Sequence, residues 1–144
     1  MINRSLTVLF CDDVRQEVQN KFSLIGCYGP LMWISQFPSV LPKLCMLAQF
    51  CTPLSQPVRR VAIRIKKDGE VIAEQIAEQV GPSAETPAWA TRQLVNALFV
   101  LSPFPIEAPC ALLVEAETDD EEIVSGGVFR IDPFPSSDEV KAPH

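Results

Sequence analysis

The chain has 144 residues, and its 18 acidic against 12 basic side chains give a formal net charge of −6 at pH 7. This length suits one domain built around a single core. The negative charge argues against nucleic acid as a partner, because binding to phosphate backbones needs basic side chains. The 13 prolines, set against 6 glycines, argue against long helices.

The first apolar run, residues 6–11, is too short to cross a bilayer and lacks the features of a signal peptide. We therefore expect no membrane partner.

The five cysteines are Cys11, Cys27, Cys45, Cys51 and Cys110, and the single histidine is His144. They contain no closely spaced Cys or His pair of the kind that binds zinc, so no metal or other cofactor is predicted. Each cysteine lies in an apolar segment, which predicts reduced, mostly buried thiols and a cytoplasmic protein.

Alternation of apolar and polar residues predicts a series of strands. In chain order they cover residues 6–11, 22–28, 44–51, 60–66, 70–76, 94–101, 110–118 and 123–131. Residues 88–98 also suit a short helix, but Phe99, Val100 and the following Ser-Pro favour a strand there. The Asp68-Gly69 pair predicts one hairpin turn, and the acidic residues 119–122 predict a second. Gly126-Gly127 indicates a bulge or a close backbone approach within the last strand.

This pattern is typical of an all-β domain. We expect an antiparallel β-sandwich, immunoglobulin-like or C2-like, with seven or eight strands. Residues 1–132 are predicted to form this single domain. The proline-rich residues 133–144 are predicted to form a flexible tail.

The opening of the chain resembles a known domain family. The similarity rests on residues 9–18, which include Cys-Asp-Asp and Arg-Gln-Glu, on the Leu-Ile-Gly-x-Tyr of residues 24–28, and on Leu-Pro-Lys-Leu at 41–44. It resembles a family of unknown function found in bacteria and their phages. The resemblance implies a small β-rich domain of bacterial or phage origin. It implies no activity, substrate or catalytic residue.

Catalysis has few candidate residues in this sequence. Triads and dyads that use a histidine base have only His144 available, and no glycine-rich phosphate loop or metal-protease motif occurs. Carboxylates offer one alternative. Asp12, Asp13 and Glu17 cluster in one segment, and Asp119 and Asp120 begin an acidic turn, so a small acidic-site enzyme or a Ca²⁺-dependent domain remains open. The favoured alternative is that Asp12 and Asp13 end the first strand, that Glu17 lies on a solvated edge, and that residues 119–122 form a solvated turn.

The segment 30–42 is apolar and contains three prolines. Met32, Trp33, Ile34 and Phe37 are candidate partner-binding residues, since aromatic residues and methionine are enriched at interfaces. The alternative is that the segment covers the core between two sheets.

Arg60, Arg64 and Lys66 form a basic stripe along one predicted strand. The stripe is either an anion-binding site or a solvated face balanced by Glu70 and Glu74 across the hairpin.

The sequence as a whole favours a non-enzymatic interaction or structural module that acts through a protein partner or self-association.

Overall fold

Eleven β-strands and one short 3-10 turn make up the regular structure of residues 3–136, the part of the chain that the computed structural model describes. In chain order the strands are β1 (Ser5–Glu17), β2 (Lys21–Cys27), β3 (Leu31–Ile34), β4 (Ser39–Leu41), β5 (Leu44–Pro53), β6 (Arg60–Lys67), β7 (Glu70–Glu78), β8 (Arg92–Leu101), β9 (Phe104–Ile106), β10 (Cys110–Thr118) and β11 (Ile123–Pro133). The 3-10 turn Val18–Asn20 joins β1 to β2. The predicted all-β class is confirmed. Within residues 3–136 no helix is long and apolar enough to cross a membrane.

The structure has more strands than the seven or eight predicted. Each predicted strand is present, and residues 94–101 belong to strand β8 rather than to a helix. The additional strands β3, β4 and β9 are only three or four residues long and lie in proline-rich segments. Their apolar residues do not alternate over a stretch long enough to be recognised as strands from sequence.

Strand β1 is longer than predicted. Its acidic residues Asp12 and Asp13 predict a strand end, yet pairing with β2 continues to Glu17, opposite Lys21. This part of β1 forms a hairpin with the edge strand β2, and most of its side chains stay in solvent. Charged side chains are therefore tolerated there.

The strands form two larger sheets and one small one. Sheet A has the order β2-β1-β5-β8, sheet B has the order β3-β11-β10-β6-β7, and β4 pairs with β9. The two predicted hairpins are confirmed as β6–β7 and β10–β11. The expectation of purely antiparallel sheets is wrong at one place, because β3 pairs with β11 in parallel. Between β2 and β3 the chain crosses from sheet A to the edge of sheet B, and it arrives running in the same direction as β11.

The inward faces of sheets A and B contribute to one hydrophobic core. Phe50 and Met46 enter it from sheet A, and Ile63 and Leu112 enter it from sheet B, all almost without solvent contact. Phe10 of β1 stacks on Phe129 of β11 with ring centroids 4.4 Å apart, so aromatic contact joins the two sheets. Burying each side chain of this size contributes about 1.5–3 kcal/mol to stability.

Gly126 marks a close approach between the two sheets. A Cβ atom there would lie 2.5 Å from Val8 Cγ2 and 3.0 Å from Leu6 Cδ2, so β11 passes directly over the side chains of β1. The pairing register of β10 with β11 shifts between Leu113 and Glu115, and the neighbouring Gly127 has a φ of +93°. The bulge and the close approach predicted at Gly126-Gly127 are both present.

Gly126→Ala should therefore destabilise the protein by about 1–3 kcal/mol, because the added methyl overpacks the contact with Val8. Urea denaturation followed by circular dichroism measures the change. Gly29→Ala is the matched control, since a Cβ at Gly29 meets no atom within 4 Å. Equal stability of the two variants would show that the sheets separate easily at this point.

Candidate interaction surfaces

The basic stripe on β6 lies on the outer face of sheet B and is neutralised there. Arg64 Nε contacts Glu74 Oε2 at 2.9 Å, and this hydrogen bond raises the pKa of the guanidinium. Arg60 Nε lies 3.7 Å from Glu78 Oε1. Glu74 was one of the two carboxylates expected to balance the stripe, and the pairing with Arg64 is confirmed. Lys67, rather than a stripe residue, stands opposite Glu70.

Glu115 on the neighbouring strand β10 completes this charge network. It is buried, although it lies on the outer face of the sheet, and its Oε1 is 2.8 Å from Lys66 Nζ and 3.5 Å from Arg64 Nη1. Neither contact has hydrogen-bond geometry at Oε1, so charge attraction alone stabilises that oxygen. Glu117 adds a further carboxylate 3.5 Å from Arg64. With each cation of the stripe paired, the geometry does not favour an anion site at Arg60, Arg64 and Lys66.

The acidic turn between β10 and β11 binds a side chain of the same protein. The Arg4 side chain is 1% exposed, and its Nη1 lies 2.9 Å from Asp120 and 2.8 Å from Glu122. Its Nε donates to Thr52 Oγ1 at 2.9 Å. Asp119 Oδ1 accepts a hydrogen bond from the Arg59 backbone N–H. Two carboxylates of this turn thus compensate a buried cation, which is a structural role.

The carboxylates of β1 lie far from that turn. Asp12 accepts a hydrogen bond from the Tyr28 hydroxyl, whose pKa is raised to about 12 by burial and by this carboxylate. Asp13 Oδ1 lies 2.7 Å from Lys43 Nζ, a contact that lowers the pKa of Asp13. The residues from Arg4 to Asp12 span roughly 26 Å at about 3.3 Å per residue. The predicted acidic residues are therefore not brought together, and no group of three or more His, Cys, Asp or Glu side chains within residues 3–136 is arranged to hold a metal ion.

The outer face of sheet A has the opposite chemistry. Residues directly opposite one another share a face in antiparallel pairs, so the strand registers define rows across β1, β5 and β8. From one end to the other, the rows are Ser5–Cys51–Leu94, Thr7–Gln49–Asn96, Leu9–Leu47–Leu98 and Cys11–Cys45–Val100. We call these residues the uncharged face. Leu9, Leu94 and Val100 are 42%, 58% and 55% exposed. Leu47 and Leu98 are partly buried, and Cys11 and Cys45 are buried.

Charged residues stand only at the two ends of this face. Arg92 follows the first row at one end, and Asp13 with Lys43 follows the last row at the other. Outer faces of antiparallel sheets are usually polar. The outer face of sheet B contains the ion pairs described above, although Ile76, Ile123 and Val128 are also exposed there. A continuous apolar run in β5, residues 44–48, was the available sequence signal, because a strand that is apolar on both faces does not alternate.

The segment 30–42 divides between core and surface. Met32 and Ile34 are buried in the core, and Phe37 packs against it, so these three candidates have little surface to offer a partner. Trp33 points outward from β3, is 49% exposed, and lies with its ring 5.9 Å from that of Phe134. Phe134 belongs to the predicted tail, of which residues 137–144 lie outside the described residues.

The five thiols are free, but they are not equally buried. Cys11, Cys45 and Cys110 are buried, Cys51 is partly buried, and Cys27 on the edge strand β2 is exposed. Burial raises the pKa of Cys11 to about 11, and it also raises the pKa values of Cys45 and Cys110. These three groups therefore remain protonated thiols at neutral pH.

Comparison with known proteins places this chain in a family. Residues 6–126 match the family of unknown function DUF6941, and the chain belongs to that family. No curated protein matches the chain. The resemblance seen in the opening residues to an uncharacterised domain family is confirmed.

The Arg4 contacts predict a pH dependence of stability. Hydrogen bonds from Thr118 and then Arg4 lower the pKa of Asp120. A carboxyl with a lowered folded pKa contributes stability above its unfolded pKa, about 3.9, and this is lost as the pH falls through the folded pKa. Asp120→Asn should therefore cost about 1 kcal/mol at pH 7, a figure reduced for solvent screening, and less at pH 2.

Urea denaturation at both pH values measures this difference. Glu121→Gln is the control, since its side chain takes no part in the Arg4 contacts. An Asp120→Asn deficit that is the same at pH 2 and pH 7 would contradict the assignment.

Proposed function

We propose that this member of a family of unknown function is a non-enzymatic interaction module that binds a second copy of itself through the uncharged face. One observation carries the proposal. One outer face of the domain contains ion-paired residues, among them Arg64, Lys66 and Glu115. The other outer face is uncharged and exposes Leu9, Leu94 and Val100. Exposed apolar surface bordered by polar residues is typical of protein interfaces.

The uncharged face forms the centre of a contact rather than all of it. Its rows cross three strands spaced about 4.8 Å apart and span residues 5–11 of β1 at about 3.3 Å each, which covers roughly 330 Å². Interfaces at the low end bury about 600 Å² per partner, so the flanking residues of sheet A complete the contact. The uncharged rows occupy the middle of sheet A and the charged residues its ends, which reproduces the apolar core and polar rim of an interface.

The chemistry of the face favours a second copy over an unrelated partner. Two molecules of net charge −6 repel each other, and a face without charge is where they approach at least cost. Gln49 Nε2 donates to Asn96 Oδ1 at 3.1 Å near the middle of the face. The pair keeps a free acceptor on Gln49 and a free donor on Asn96, because each amide has both groups. Across a two-fold axis, the donor of one copy meets the acceptor of the other.

The fold, the location and the origin that we propose each have a separate observation in support. An immunoglobulin-like or C2-like sandwich is favoured because two sheets share one core, and free cysteines favour a cytoplasmic location. Bacterial or phage origin follows from the resemblance of the opening residues. The acidic-site alternative gains no support from geometry, since Asp120 binds Arg4 and Asp13 binds Lys43.

The oligomeric state of matched variants tests the proposal. Leu9→Glu places a charge in the leucine row, and Ile76→Glu places the same charge at a position of equal exposure on sheet B, 45% against 42%. We expect a dimer for the unaltered chain and for Ile76→Glu, and a shift of Leu9→Glu to monomer by at least tenfold in dissociation constant. Analytical ultracentrifugation over a concentration series measures this, and circular dichroism checks that the fold is retained.

Two outcomes overturn the proposal. The first is an unaltered chain that is monomeric at every concentration tested. The second is a dimer that resists Leu9→Glu but dissociates on Trp33→Ala, which would place the contact on β3 beside Phe134, where the sequence predicts an anchor.

A further inference from the structure

Three cysteines lie side by side across sheet A. Cys27 of β2, Cys11 of β1 and Cys45 of β5 occupy one register position on adjacent strands. We propose that Cys27 and Cys11 form a site of reversible oxidation by peroxide, in which the exposed Cys27 reacts first and Cys11 then closes a disulfide. Cys11 also belongs to the uncharged face, but the inference does not rest on self-association, since the disulfide joins two strands of one molecule.

The backbone pairing brings Cys11 and Cys27 close enough for a disulfide. The Tyr28 N–H donates to the Phe10 carbonyl at 2.8 Å, which makes Phe10 and Tyr28 a hydrogen-bonded pair of the antiparallel ladder. Such pairs alternate with non-hydrogen-bonded ones, so the next pair, Cys11 and Cys27, is of the second kind. Residues in non-hydrogen-bonded pairs have Cα atoms about 4.5 Å apart and their side chains close together. Disulfides bridge Cα separations of about 4.4–6.8 Å.

Differences in exposure set the order of the two steps. Cys27 is exposed because β2 is the edge strand of sheet A, whereas Cys11 has no solvent contact. Burial raises the pKa of Cys11 to about 11, so almost no Cys11 thiolate is present to attack peroxide at neutral pH. Peroxide therefore oxidises Cys27 first, and Cys11 is the neighbouring thiol that reacts with the oxidised Cys27 sulfur.

The chemistry requires no group other than the peroxide. The Cys27 thiolate attacks one peroxide oxygen, the O–O bond breaks, and the released hydroxide takes the thiol proton to form water, which leaves Cys27 as a sulfenic acid. The Cys11 sulfur then attacks the Cys27 sulfur, and the S–O bond breaks. The departing hydroxide takes the Cys11 proton and leaves as a second water. Two thiols lose one electron each, and the peroxide is reduced to two waters.

The other cysteines lack this combination of exposure and a neighbouring thiol. Cys45 lies next to Cys11, but it is buried. Cys51 is partly exposed, yet Ser5 and Leu94 stand opposite it on the two neighbouring strands. Cys110 is buried in β10 of the other sheet. Oxidation is therefore expected to be selective for one pair.

Mass spectrometry of the full chain tests the site. The protein is treated with hydrogen peroxide, denatured, alkylated without reductant and digested. We expect a Cys11–Cys27 crosslinked peptide, three of the five thiols alkylated, and full reversal by dithiothreitol. Cys51→Ser is the control and should give the same crosslink. The experiment is repeated on Leu9→Glu, which should behave alike whether or not the chain dimerises.

A second variant keeps the proposal testable if the disulfide itself is not recovered. In Cys11→Ser the second step is blocked, so Cys27 should accumulate as a sulfenic acid that dimedone traps, at least fivefold more than in the unaltered chain. Equal dimedone labelling in both proteins overturns the proposal. So does a crosslink that joins two copies through Cys27, or one that joins Cys11 to Cys45.

Discussion

The contact of β1 with β11 holds the two sheets of this protein against each other. Phe10 stacks on Phe129 at 4.4 Å, and beside them Gly126 lets the backbone of β11 pass over Val8. A larger residue at position 126 would overlap the side chains of Val8 and Leu6, so these side chains or the two strands would have to shift. Because the inward faces are committed to this core, the surface of the described residues consists of the two outer faces, the sheet edges and the loops.

The two outer faces differ in charge. On sheet B, Arg64 and its carboxylates cover the strands with a network of charges that favours solvent, and the buried Glu115 ties β10 to β6. On sheet A, the leucine row and the Gln49–Asn96 pair leave an outer face without charge. Of the acidic residues that suggest chemistry in the sequence, Asp13 and Asp120 are instead held in ion pairs, and Asp12 accepts a hydrogen bond from Tyr28. The function we propose is therefore one of surface contact rather than of catalysis.

Local patterns in the sequence predict much of this fold. The Asp68-Gly69 turn and the acidic turn ending at Glu122 place both hairpins of sheet B correctly, because each depends on residues close in sequence. The parallel pairing of β3 with β11 depends on where the chain crosses between sheets, which no local pattern reveals. In the same way, the burial of Arg4 against Asp120 joins residues more than a hundred positions apart. On β3, Trp33 is exposed whereas its neighbours Met32 and Ile34 are buried. The sequence does not distinguish them, because all three are apolar and the direction of each side chain depends on how β3 pairs with β11.

In the function we propose, the uncharged face of sheet A is a contact surface and the charged face of sheet B is not. Nuclear magnetic resonance spectra recorded over a dilution series test this directly, since they report each position in the unaltered chain. We predict that the side-chain amide signals of Gln49 and Asn96 move with protein concentration, while the guanidinium signal of Arg64 does not. Concentration-dependent shifts confined to Arg64 and its neighbours, or none anywhere, would contradict the account.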